Sequence, residues 1–254
     1  MTDATRLDGK VAWITGSGRG MGRAHAELLA ARGADIVIHD VLKEDAESAA
    51  AAVRALGRRA IIFHDSVSDA AAMRNLVAET EKKLGTIDIL VNNAGIGQHA
   101  TTEEITPEMF DRMFDVHVKG SFFCAQAVLQ GMKAQRSGRI INISSNWGMV
   151  AAAVCSHYCA AKTAVLGFTK AWAKELAPHN ILVNAVCPGG VLTEMPIKVQ
   201  GMEKIRAKEK LVPLGRWAQP GEISYAVAFL AAETGAFITG QSISPNGGET
   251  IVGF

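Results

Sequence analysis

The chain has 254 residues, 48% of them hydrophobic and 20% charged, and its 26 basic and 25 acidic side chains leave a formal charge of +1. That length suits one α/β domain with a core large enough to need no disulfide or metal staple. The near-neutral charge argues against nucleic acid or anionic lipid as a partner, the apolar content against a disordered chain, and the aperiodic glycines against a fibre.

Taken in order, short β-rich runs recur at 11–15, 35–40, 60–63, 88–92, 139–144, 181–186 and 242–244. Most are continuous apolar runs, which suits strands buried on both faces of a parallel sheet. Helical stretches lie between them at 21–32, 44–56, 69–84, 108–135, 157–177 and 220–232. The alternation predicts a doubly wound, parallel, seven-stranded sheet flanked by helices, Rossmann-like, with right-handed crossovers. No linker, charge block or repeat divides residues 1–254, so one domain is expected. Residues 190–217 break the rhythm with Gly190, Pro196, Gly201 and Pro213, and read as a loop-and-helix flap.

The start has no charged-then-apolar signal pattern, and no apolar run approaches the roughly 18 residues of a membrane span. Cytoplasm is the expected compartment. Cys124, Cys155, Cys159 and Cys187 form no CxxC pair and read as free thiols in a reducing cytosol. Cys155-Ser-His157-Tyr-Cys159 resembles a metal cluster, but a zinc site needs about four converging ligands; no metal is expected.

The first strand runs into the turn Gly16, Ser17, Gly18, Arg19, Gly20, Met21, Gly22 and then a helix. Glycines allow a tight turn and let the backbone approach a pyrophosphate seated on the helix N-terminus. The spacing is G-x-x-x-G-x-G rather than G-x-G-x-x-G. Asp40, with Val41 beside it, ends the second strand about 20 residues on. A carboxylate there accepts hydrogen bonds from the adenosine ribose of NAD and repels the extra phosphate of NADP. Arg19 points the other way, since a guanidinium can hold that phosphate. NAD is favoured, with NADP the alternative.

Four motifs then follow in order: Thr15-Gly-Ser-Gly-Arg-Gly-Met-Gly22, Asn92-Asn-Ala-Gly95, Tyr158-Cys-Ala-Ala-Lys162 and Pro188-Gly-Gly-Val-Leu-Thr193. Together they resemble the short-chain dehydrogenase/reductase family in its compact single-domain branch, from Lys10 to Gly248. The chemistry of the residues agrees. Positions four apart share a helix face, so Lys162 can reach beneath Tyr158. A phenol ordinarily titrates near about 10; a nearby ammonium and an oxidised nicotinamide favour phenolate, which can accept an alcohol proton.

The resemblance implies further roles. It places the catalytic serine at Ser145, with Ser144 the competing assignment, as an oxyanion-type donor to the substrate oxygen. It puts Asn93, Ala94 and Gly95 against the cofactor, and Pro188, Gly189, Val191 and Thr193 around the nicotinamide carboxamide. It also implies a homotetramer. The chain departs from the family in three places. His117 stands where an asparagine of the proton relay is usual; a main-chain role survives, and the ring adds a group that titrates near about 6.5. Asp65-Ser66-Val67 replaces the usual Asp-Val that contacts adenine. Pro245-Asn246 precedes two glycines where Asp-Gly-Gly is usual.

Between Ser145 and Tyr158, Trp147, Met149, Val150 and Val154 suggest an apolar pocket, to which the flap adds Met195, Ile197, Val199 and Met202 and His157 one polar contact. The same residues also suit packing against the core. The basic run Lys198, Lys204, Arg206, Lys208 and Lys210 reads as a site for an acidic carrier substrate or as a solvated face. The expected function is NAD-dependent hydride transfer with a secondary alcohol or ketone of hydrophobic body. The alternatives are an NADPH-dependent 3-oxoacyl-carrier reductase and a non-catalytic NAD(H)-binding protein.

Overall fold

A computed structural model describes residues 3–252. Seven parallel strands pair in the order β3-β2-β1-β4-β5-β6-β7. They are β1 (Val11–Thr15), β2 (Asp35–His39), β3 (Ala60–Phe63), β4 (Ile89–Asn92), β5 (Gly138–Ile143), β6 (Ile181–Val186) and β7 (Ser242–Ile243). The order reverses between β1 and β4, which opens a crevice at the carboxyl ends of those strands.

The apolar runs do what double-sided burial requires. Every residue of β1, β2 and β4 is buried. Successive side chains leave a strand on opposite faces. Ala12, Ile14, Ile36 and Ile38 therefore join a core under α1 (Gly20–Ala31), α2 (Lys43–Ala55) and α10 (Pro220–Ala231). Val11, Trp13 and Val37 join a second core under α3 (Ala70–Lys83), α5 (Gly120–Gln135) and α7 (Ser156–Leu176). Each large side chain so buried contributes about 1.5–3 kcal/mol of transfer free energy.

The predicted helix over 108–135 is interrupted. α4 (Pro107–Phe114) opens into a π turn, Asp115–Lys119, before α5 resumes. The Ser121 hydroxyl donates to the His117 carbonyl at 2.7 Å. Gly120 lets Val67 approach to where an added Cβ would stand only 2.6 Å from its side chain. One extra residue in a turn leaves the hydrophobic period nearly unchanged, so the pattern did not reveal it. The short α6 (Trp147–Val150) was also unforeseen. Segment 190–217 contains α8 (Glu194–Gln200) and α9 (Met202–Glu209). No helix among the described residues is long and apolar enough to cross a membrane.

Candidate active site

The loops leaving β1, β4, β5 and β6 at their carboxyl ends carry the predicted residues to one edge of the sheet. Gly16 and Gly20 both take positive φ, +64° and +57°, which side-chain-bearing residues adopt only at a cost. Gly22 has no room for a side chain, because an added Cβ would lie 2.0 Å from the Gly16 carbonyl oxygen. Helix α1 begins at Gly20 with no side-chain cap and no acid in its first turn, whereas Asp69 caps α3 through the Ala71 and Ala72 amides. An uncapped helix end behind a glycine turn suits a pyrophosphate, so the residues present fit a dinucleotide.

Hydrogen bonds lock this turn to its neighbours. Gly16 and Ser17 donate backbone N–H groups to the His39 carbonyl, and His39 returns its own to Ser17 Oγ at 2.9 Å. The Asn93 amide donates to the Thr15 and Gly16 carbonyls at 2.8 and 3.0 Å. Thr15 Oγ1 accepts the N–H groups of Asn93 and Ala94, a tie that a threonine at a strand end gave no reason to expect. Asn92 faces away, donating to Asn142 Oδ1 at 2.9 Å inside the sheet.

Asp40 sits where expected. Its two oxygens accept the Gly18 and Leu42 N–H groups at 2.9 and 3.0 Å. Val41 beside it is 61% exposed. Arg19 does not stand free: it pairs with Glu194 at 3.0 Å and lies 3.8 Å from Asp45. Past β3, the Asp65 carbonyl is held by His39 Nε2 at 2.8 Å. Ser66 bonds Ser68, and Val67 is buried against Gly120. Across the crevice Thr193 comes within 3.5 Å of the position a Gly20 Cβ would take. Val191 bridges to Ala218, Pro188 accepts the Asn146 N–H, and Gly189 donates to the Pro245 carbonyl.

Tyr158 and Lys162 share a face of α7, with Lys162 Nζ 5.7 Å from the centre of the Tyr158 ring. Lys162 is 5% exposed and donates to the Ile143 carbonyl at 2.7 Å. Burial brings its ammonium down to about 8 and pushes the Tyr158 phenol up to about 12; a hydrogen bond with the Ser145 hydroxyl opposes the latter. In the free protein desolvation outweighs the nearby ammonium, so the phenolate expected beside the lysine and an oxidised nicotinamide together is not favoured by the lysine alone. The two serines separate cleanly. Ser144 Oγ donates to the Lys162 carbonyl at 2.8 Å, while Ser145 Oγ donates to Asn146 Oδ1 at 3.2 Å, accepts the Trp147 N–H at 3.1 Å and acts on the phenol.

His117 is 2% exposed, and its ring meets that of Tyr158 edge-on at 5.5 Å. Its Nε2 lies 2.9 Å from the Ile96 carbonyl oxygen. Burial, then the charge of Lys162, holds the ring well below the usual histidine range. The expected titration near neutrality is therefore corrected: the imidazole stays neutral.

Trp147 stands 6.2 Å from Tyr158, ring to ring. Met195 reaches across from α8 to Gly97, its sulfur 3.1 Å from where a Cβ would be. Val154 takes φ +55°, a strained value for a β-branched residue, and is 47% exposed; Met149 is half-buried on α6. His157, read either as a polar contact to substrate or as core packing, is buried and lines a cleft with Thr102, Ile105, Thr106 and Phe110 between α4 and α7. Cys155 and Cys159 bring their sulfurs to 3.6 Å, but no group of three potential metal ligands occurs among the described residues. His99, against Trp147, went unrecognised as a neighbour of the site, while Lys208, read in the basic run near the flap, also meets Trp147. Only the tertiary fold brings the loop after β4 and helix α9 to α6.

Comparison with known proteins agrees with this geometry. A family model described as short chain dehydrogenase matches residues 10–204. A 3-oxoacyl-(acyl-carrier-protein) reductase of Thermotoga maritima is 38% identical, covering 97% of this chain and 100% of its own. A gluconate 5-dehydrogenase of Burkholderia cenocepacia, solved with NADP and tartrate, superposes with a TM-score of 0.91 at 38% identity over 97% of each chain. Carveol dehydrogenase of Mycobacterium avium, solved with NAD, gives 0.91 at 33% identity over 96% of this chain and 98% of its own.

Proposed function

This chain belongs to the short-chain dehydrogenase family, an oxidoreductase acting on CH–OH groups, and on that premise we propose that it moves hydride between NAD and a secondary alcohol or ketone with a hydrophobic body. The observation that carries this reading is the approach of Lys162 to Tyr158 beside Ser145, at the edge where the glycine turn opens. When bound there, the nicotinamide supplies the hydride acceptor at its C4 carbon.

The chain's own residues do the rest. Ser145 hydrogen-bonds the substrate oxygen and steadies charge on it. Tyr158 takes the hydroxyl proton during oxidation and returns it during reduction. It acts as a base once further positive charge joins Lys162 beside it, since burial alone keeps it protonated. His117, neutral, buttresses the tyrosine ring and the loop at Ile96. Trp147, Met149, Val154 and Met195 form the apolar wall, and residues 190–217 serve as the flap over it.

Asp40 supports NAD over NADP, and Asp45 reinforces it. Gly18 packs on both, its would-be Cβ 2.9 Å from Asp40 Oδ2 and from Asp45 Cβ, so a ribose phosphate would meet two carboxylates. Arg19, the group that could hold that phosphate, is engaged by Glu194. A second reading, NADPH-dependent reduction of a 3-oxoacyl group on a carrier, draws on the Thermotoga relative and the basic run near α9. We place the protein in the cytoplasm as a homotetramer; its four cysteines are buried and unpaired among the described residues.

Tyr158→Phe tests the mechanism. Turnover of cyclic secondary alcohols with NAD, followed at the NADH absorbance band, should fall by about 10²-fold or more, with NADH binding retained. Normal turnover by this variant would overturn it.

A further inference from the structure

The mouth of the proposed substrate pocket holds a cation without an anion. Lys208 lays its Nζ 5.4 Å from the centre of the Trp147 ring and donates to the neutral Gln200 Oε1 at 2.6 Å. The same Trp147 ring is 6.2 Å from the Tyr158 ring and 6.1 Å from the His99 ring. Lys208 is half-buried. Among the described residues neither Lys208 nor Lys204, one turn earlier on α9, makes an ion pair.

The acids of this region do not supply one. Glu194 holds Arg19 and Lys198. Glu209 accepts the Trp217 N–H at 3.2 Å, and Glu249 accepts the Gly190 N–H at 3.2 Å. Glu203 is exposed at the start of α9. The resulting positive field reaches the pocket: burial, then Lys208 and Lys204, holds the His99 ring below its usual range.

An ammonium tethered by an amide over an indole is preorganised, since little side-chain freedom remains to be lost on pairing. It gives nothing to a wholly apolar alcohol. We propose that the substrate is a hydroxy acid or its oxo acid: an apolar body lies against Trp147, the carbinol or carbonyl reaches Ser145 and Tyr158, and a carboxylate at the far end pairs with Lys208, with Lys204 adding attraction from the flap. This rests on the alcohol–ketone reading above and narrows it.

The test needs no turnover. The protein saturated with NADH is titrated calorimetrically with cyclohexanecarboxylate and with cyclohexanecarboxamide, its neutral counterpart, while NADH binding is followed separately by nicotinamide fluorescence. The acid should bind about tenfold more tightly than the amide, and the gap should shrink at high salt. Lys208→Met, which keeps apolar cover over Trp147, should abolish the gap, and Lys208→Arg should keep it; Lys208→Gln stands in should the methionine variant melt early. Equal binding of the two probes, or a gap that survives in Lys208→Met, overturns the proposal while leaving the dehydrogenase reading intact. So does tighter binding of an uncharged pantetheine thioester than of the acid, which would assign these lysines to a carrier. A protein that binds neither NADH nor either probe overturns both readings together.

Discussion

Asp40 spends each carboxylate oxygen on a backbone N–H, from Gly18 and from Leu42. Those bonds fix its position and leave further lone pairs for ribose hydroxyls. Asp40→Ala should raise the NADP-to-NAD ratio of kcat/KM by about tenfold or more, since a close like-charge contact costs at least 1.4 kcal/mol, or roughly a factor of ten. An unchanged ratio would move cofactor choice to Arg19 and its partner Glu194. Lys162 carries a second signed expectation. Burial depresses its ammonium from the ordinary lysine value of 10.5 to about 8, so between those values the unfolded chain binds more protons than the folded one. Stability from this group therefore rises as pH climbs from 8 to 10.5. The stability of Lys162→Met relative to the parent, by urea titration, should fall by about 3 kcal/mol across that window. A flat difference would mean that the ammonium is better solvated than its surroundings indicate.

At the scale of the element, the glycine turn and the π turn differ in how plainly the sequence declared them. Gly16, Gly20 and Gly22 announce themselves, because the first two take positive φ, which other residues adopt at a cost, and Gly16 and Gly22 leave no room for a side chain. Gly22→Ala should weaken NADH binding by about tenfold or more and lower the melting temperature, as the Gly16 carbonyl must move from a Cβ 2.0 Å away; unaltered affinity by fluorescence titration would show that the turn yields freely. Strands and crossovers were equally legible, since a run such as Val11–Thr15 must be buried on both faces. The Tyr158–Lys162 pair was legible from its four-residue spacing. What stayed hidden was set by tertiary contact. The inward aim of His117 comes from an extra residue that periodicity cannot register. The departure of His157 to the cleft behind α7, and the arrival of Lys208 at Trp147, depend on how helices pack rather than on local pattern. The burial around the tyrosine was hidden for a related reason: spacing reports the cation nearby but not the desolvation of the phenol in the free protein.

For the whole molecule, the faces left uncovered bear on assembly. Phe168 and Trp172 stack at 4.9 Å on α7, and Phe122 of α5, 38% exposed, leans on both at 5.8 and 6.0 Å. At the far end of the sheet Phe237 and Ile251 are almost fully exposed beside the edge strand β7. Aromatic patches of this kind mark interfaces. Light scattering should report four chains for the parent protein, and Phe122→Asp with Trp172→Glu should reduce that number; a monomeric parent would remove the inference. The opposite rim of the sheet tells a different story. Every loop that carries candidate chemistry leaves at the carboxyl edge, whereas Gly57 and Gly85 turn the chain at the other, where a side chain added at either would meet nothing within 4 Å. Distance from the chemistry and open space are what a graft requires. That rim is accordingly the place to splice a reporter peptide or to reopen the chain at new termini, as a handle for anchoring the enzyme with its crevice facing the bulk.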